Sequence, residues 1–126
     1  MSGNHSVSVE TLKEFLAAFN RHDLDAIMAF FADDCSLCMP RGPEPWGQRF
    51  IGKANVREGL ASRFSGLPDV HYGDDSHWVC DNMGVSKWTL TGTTPAGVRV
   101  EVQGVDLLEF REGKVVHKDS YWKIVD

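Results

Sequence analysis

Apolar positions recur at helical spacing near the start of the chain. Leu12, Phe15, Leu16 and Phe19 follow the i, i+3, i+4, i+7 rule and predict an amphipathic helix capped by Ser8, with a break at 20–22. Asp23 caps a predicted second helix whose stripe is Leu24, Ile27, Met28 and Phe31; so short a break allows only a helical hairpin. After an acidic turn at 33–34, a short strand runs through Met39. Residues 40–52 hold three of the five prolines and three glycines, which predicts a loop because proline lacks a ladder donor and fixes φ. That loop carries Trp46, Phe50 and Ile51, so it is expected to fold back as the lid or rim of a pocket. A third helix is expected over 53–65, with Val56, Leu60 and Phe64 at four-residue steps, ended by Gly66 and Pro68. From residue 69 the pattern changes to strands at 70–80, 83–93, 98–110 and 114–124, separated by turn residues. Three helices followed by consecutive antiparallel strands predict an α+β fold with the helices on one face of the sheet.

Alternation within the strands shows which side chains look inward. Ser86, Trp88 and Leu90 share one face of the second long strand. In the third, Val98, Val100, Val102, Gly104, Asp106, Leu108 and Phe110 share the other row that faces the core. Asp106 is the exception in that row, and burying a carboxylate costs several kcal/mol unless it is paired or protonated. Its partner depends on the last turn. A three-residue loop, Arg111-Glu112-Gly113, needs only Gly113 in the left-handed region and sets Asp106 opposite Lys118. Ser120 and Trp122 then share the inner face, while His117, Asp119 and Tyr121 turn outward. The other register sets Asp119 beside Asp106, a pair able to share a proton. Desolvation would raise the Asp106 pKa and a close Lys118 would lower it, so geometry decides between neutral acid and ionised base. His71 and His77, six apart on one strand, are expected on one face, too far apart to share a metal. His77 is a candidate hydrogen-bond donor to the pocket.

Composition narrows the function classes. The 126 residues, 42% hydrophobic and 25% charged, suit one domain over 1–126 with residues 1–7 as a flexible tail. A net charge of -5 argues against nucleic acid and against an anionic membrane surface, both of which recruit Lys and Arg clusters. No apolar run approaches a membrane span, and MSGNHSVSVE lacks the basic start and apolar core of a secretory signal, so the cytoplasm is the expected compartment. Cys35 and Cys38 spell C-x-x-C, but residues three apart on a strand point to opposite faces. Unpaired thiols and no metal site are expected, and without a glycine-rich phosphate loop no cofactor is implied.

Several segments together resemble the nuclear-transport-factor-2-like superfamily, in its SnoaL-like and ketosteroid-isomerase-like group. They are the run from Phe15 to Ile27 with Phe31-Ala-Asp-Asp, Gly52-Lys53-Ala54, Trp88 to Thr93, Val105 to Val115, and Tyr121-Trp122. The resemblance covers about residues 8–124. It implies three helices packed on a strongly bent, mostly antiparallel sheet, forming a cone with an internal pocket. It also implies a homodimer through the outer sheet face, where Val105, Leu107 and Tyr121 lie. The isomerases' oxyanion tyrosine falls on Phe15 and their catalytic aspartate on Met39, neither of which can do that chemistry. Their protonated aspartate falls on Asp106, which is kept. Steroid isomerisation by that route is therefore not expected. An epoxide-hydrolase pattern fails as well, with Gly104 where its arginine belongs and Ser120 where its second aspartate belongs.

What the resemblance leaves is an apolar pocket with one strong acid–base candidate. The leading expectation is a cofactor-independent isomerase, cyclase or lyase acting on a small apolar carbonyl compound. Asp106 would transfer the proton, and Lys118, Ser120 and His77 would hold developing negative charge. Phe15, Phe19, Leu37, Met39, Trp46, Phe50, Trp88, Gly104, Leu108 and Trp122 would line the pocket. The alternatives are a non-catalytic ligand carrier or sensor in the same pocket, and a dimerisation module using the outer sheet face.

Overall fold

A computed structural model describes residues 7–126. The tail expected over 1–7 falls mostly outside the described residues, and Val7, where they begin, is buried in the core. Helix α1 (Val9–Asn20) is capped by Ser8, whose hydroxyl accepts from the Thr11 amide. Helix α2 (Leu24–Met28) starts at Asp23, which accepts from the Ala26 amide. It is shorter than its apolar stripe suggests, because Phe31 already begins strand β1 (Phe31–Cys38). The acidic pair 33–34, expected as a turn, lies inside that strand with its side chains in solvent. A short strand that the proline-rich pattern hides, β2 (Arg49–Ile51), precedes α3 (Lys53–Gly66). Strands β3 (His71–Cys80), β4 (Met83–Thr93), β5 (Arg99–Arg111) and β6 (Lys114–Trp122) complete the chain.

The six strands form one open sheet in the order β2-β1-β6-β5-β4-β3, with β1 and β6 parallel and every other pair antiparallel. The fold is α+β, with the three helices against the inner face of the bent sheet. Leu12, Phe15, Leu16 and Phe19 of α1 and Val56 and Leu60 of α3 are buried, as their spacing predicts. They pack on Cys35, Leu37, Trp88, Leu90, Leu108 and Phe110 from the sheet. Gly59 of α3 lets the helix approach closely, since a Cβ there would meet the Phe50 ring at 2.8 Å and Leu37 at 3.1 Å. Cys35 and Leu37 face this core, while Cys38 lies on the opposite face; all three cysteines are free thiols. Among the described residues no helix is long and apolar enough to cross a membrane.

Candidate functional site: a buried carboxylate, ammonium and hydroxyl at the base of the cone

Asp106 of β5 is buried and accepts three hydrogen bonds. Its Oδ1 takes one from Ser120 Oγ at 2.6 Å and one from Lys118 Nζ at 3.2 Å, and its Oδ2 takes one from Trp88 Nε1 at 3.1 Å. Lys118 Nζ also donates to Ser120 Oγ at 2.7 Å and stands 5.3 Å from the centre of the Phe19 ring. Each buried polar group thus has a partner, which is what the cost of desolvation demands. This is the close-contact case, in which Lys118 and two neutral donors all point at the carboxyl group.

The register that builds this cluster is not the one expected. Glu112 (φ 52°) and Gly113 (φ 78°) are both left-handed and form a two-residue turn that pairs Arg111 with Lys114. A bulge then follows, because Phe110 pairs with Val115 but Glu109 with His117. The extra residue restores the inward direction of Lys118, Ser120 and Trp122 that the three-residue loop would have given. Turn and bulge together move the pairing by two, so that Ser120, not Lys118, is opposite Asp106. Lys118 sits opposite Leu108 and reaches Asp106 diagonally along the same face. Asp119 turns outward, so the carboxylate pair is not formed.

Gly104, two residues before Asp106, decides where the Trp88 indole lies. A Cβ at Gly104 would stand 2.5 Å from the Tyr121 carbonyl oxygen and 2.7 Å from two Trp88 ring carbons. The ring occupies the space that the missing side chain leaves, which brings its N–H to Asp106.

Lys118, Ser120 and Trp88 line a small inner cavity together with Phe19, Met39, Pro40, Leu60, Arg63, Tyr72 and Trp122. Its volume is about 10 Å³, room for roughly one water molecule. Asp106 lies behind Lys118 and Ser120. A wider outer recess of about 270 Å³ shares Met39, Arg63 and Trp122 with the inner cavity. Those three side chains form the partition between the two spaces. Arg63 and Arg41 both stack on Trp122, at 4.6 and 5.7 Å from the ring centre.

Several residues expected at the pocket lie elsewhere. Phe15 packs among the rings of Phe19, Phe30 and Phe31, and Leu37 and Leu108 are fully buried core. Phe50 lines the outer recess and packs on α3, while Trp46 is 45% exposed and stacks with Arg49. The 40–52 loop therefore rims the outer recess through Arg41, Gln48 and Phe50, and the inner cavity through Pro40, rather than through Trp46. The residues missing from the sequence reading are Tyr72, Leu60 and the two arginines. Tyr72 pairs with the inward Leu90 only because of the bulge between Gly73 and Ser76; unbroken pairing would set it opposite Thr91, so no signal in the sequence places it. Burial pushes the Tyr72 phenol well above its ordinary pKa, with Arg63 opposing the shift.

His71 and His77 do not share a face. Asp74 (φ 49°) sits in a bulge where pairing passes from Gly73–Thr89 to Ser76–Lys87, so His71 points outward and His77 inward. The His77 imidazole is bonded through Nδ1 to Ser86 Oγ at 2.8 Å and through Nε2 to Asp75 at 2.6 Å. That contact holds the Asp75 carboxyl below its ordinary range. A serine, histidine and aspartate in hydrogen-bonded series is the arrangement of a nucleophile relay. Here Ser86 is buried, and neither it nor His77 lines the inner cavity or the outer recess. The series fastens the edge strand β3 to β4, where Ser86 pairs directly with Asp106 of β5.

The same architecture recurs in solved structures. A provisionally named polyketide cyclase from Xanthomonas campestris is 21% identical, with 90% of this chain and 88% of that one covered at a TM-score of 0.79. TerC, co-crystallised with polyporic acid, is 20% identical, with 91% and 90% covered at 0.77. An NTF2-like protein of unknown function from Burkholderia pseudomallei is 22% identical, with 98% and 92% covered at 0.81. At these identities the likeness concerns the fold. No curated protein matches the chain in sequence. The profile of the SnoaL-like domain matches residues 12–118, most of the helices and sheet that build the cone and its buried cluster, and the chain belongs to that family.

Proposed function

We propose that the chain binds a small carbonyl compound in the cone and catalyses a cofactor-independent proton transfer on it, of the isomerase or cyclase kind. The observation that carries this reading is the buried cluster Asp106–Lys118–Ser120, whose Lys118 and Ser120 line the inner cavity. Desolvating two charges is expensive, and replacing such a pair by apolar residues is often neutral or stabilising, so a site of this kind points to chemistry rather than to stability. A ligand oxygen entering from the outer recess would displace Met39, Arg63 and Trp122 and meet Lys118 Nζ and Ser120 Oγ. Those donors would hold the charge of an enolate, with Asp106 as the group that takes and returns the proton. The names of neighbours, one a cyclase and one co-crystallised with polyporic acid, support a small organic ligand. Homodimerisation through the outer sheet face is part of the same reading, since Tyr121 is 53% exposed there; light scattering that returned a monomer mass would remove it.

A second reading, a non-catalytic carrier, is favoured by one observation: all three hydrogen bonds to Asp106 come from the protein itself. One experiment separates the two. Conjugated carbonyl compounds are screened by ligand-observed NMR, and binders are incubated in D2O to follow exchange of the hydrogens next to the carbonyl. Catalysis predicts exchange that falls by about 10²–10⁴-fold in Asp106→Asn with binding kept. Exchange at the full rate in that variant sinks the catalytic reading, and binding without exchange in the parent establishes the carrier.

A further inference from the structure

The outer face of the sheet holds a second cluster that the chemistry above does not use. Cys38 of β1 pairs with Asp119 of β6, and Ser36 pairs with His117 one step along the same two strands. The Cys38 sulfur, an imidazole nitrogen of His117 and a carboxylate oxygen of Asp119 all lie within 4.8 Å of one another. These side chains alternate with Lys118 and Ser120, so they stand on the opposite face from the buried cluster. We propose that Cys38, His117 and Asp119 form a binding site for a zinc-class divalent cation.

The donor set argues for that class. A thiolate, an imidazole and a carboxylate are the ligands of tetrahedral zinc, and the sulfur disfavours magnesium and calcium. With zinc–ligand bonds of about 2.0–2.3 Å, tetrahedral donors stand roughly 3.3–3.8 Å apart, so closing the site needs movements of about an ångström. Thiolate and carboxylate together neutralise a divalent charge, and binding releases the thiol proton to solvent. Three protein donors leave a fourth position for water.

The supporting hydrogen bonds are already present. Ser36 Oγ is 2.6 Å from His117 Nδ1 and sets the plane of the ring. The Tyr121 hydroxyl donates to Asp119 Oδ2 at 3.1 Å, which leaves the other oxygen open. Arg49 Nε donates to the Cys38 sulfur at 3.4 Å. Partners of this kind orient ligands in metal sites, and losing one costs about 10–100-fold in affinity. Cys38 is buried, whereas His117 and Asp119 are half-buried and give access from the outer face. The C-x-x-C spacing is a coincidence in this arrangement, because Cys35 points into the core.

The test is an anaerobic titration of untagged protein with Co2+, followed by Zn2+, in a Cys80→Ser background that removes the exposed thiol. One equivalent of cobalt should give a sulfur-to-metal charge-transfer band and the strong visible absorption of a tetrahedral site, both displaced by zinc. Cys38→Ser should abolish the charge-transfer band. His117→Gln and Asp119→Asn, on half-buried positions that tolerate change, should each weaken binding by at least about tenfold, and Ser36→Ala by a similar factor. Absence of the band in the folded parent overturns the proposal. So does a band that survives Cys38→Ser, or cobalt affinity unchanged in both His117→Gln and Asp119→Asn.

Discussion

The Asp106–Lys118 pair can be tested by a thermodynamic cycle that needs no substrate. The nitrogen–oxygen distance is 3.2 Å, and the two side chains are only 6% and 7% exposed. At an effective dielectric constant of about 20, charges at that distance attract by about 5 kcal/mol. Desolvation opposes most of this, so the pair adds little to stability while both partners are present. Removing one partner is different, because it leaves a buried charge uncompensated. Lys118→Met strands the carboxylate with only Ser120 and Trp88 as donors. Asp106→Asn strands the ammonium against a neutral amide. Each single change should cost about 3–5 kcal/mol. The double variant Asp106→Asn/Lys118→Met removes both charges, and its cost should fall short of the sum of the singles by about 2–3 kcal/mol. Urea unfolding at neutral pH, followed by far-ultraviolet circular dichroism with the slopes checked for two-state behaviour, reads all four corners. If the two changes add to within about 0.5 kcal/mol, the charges do not interact and the account of the cluster is wrong.

Two further outcomes follow from single contacts. Gly104→Ala should destabilise the fold by about 1–3 kcal/mol, since the new methyl group meets a backbone carbonyl at 2.5 Å and a rigid ring at 2.7 Å. Near-ultraviolet circular dichroism should show the Trp88 environment altered, and an unchanged spectrum with parental stability would contradict the packing described. The Asp75 carboxyl is held below its ordinary pKa, first by its hydrogen bond from His77. Its stabilising contribution is therefore present above the unfolded value of about 4 and is lost as pH falls through the lower, folded value. Asp75→Asn should flatten the acid limb of the stability–pH curve, and an identical limb in parent and variant would exclude that contribution.

The sequence determined the helical faces and the inward rows of the long strands, because both are local periodicities of a chain that must bury its apolar side. It also singled out Asp106, since one carboxylate in an apolar row signals a burial cost that a partner must offset. Alternation places Lys118, Ser120 and Trp122 on the inner face, where they lie, although the turn has two residues rather than the three its sequence predicts. The two-residue turn and the bulge together keep the alternation that a three-residue loop would have produced. Which residue stands opposite Asp106 depended on that bulge, and only the folded sheet decides where an extra residue is accommodated. The same holds at Asp74, where a bulge separates the faces of His71 and His77. Contacts between elements distant in the chain were beyond the sequence. The parallel pairing of β1 with β6 brings Cys38 to His117 and Asp119, about eighty residues away. The approach of α3 to the sheet sets Arg63 on Trp122 and nearly closes the inner cavity. Periodicity fixes the direction in which a side chain points, and only packing among elements fixes what it meets.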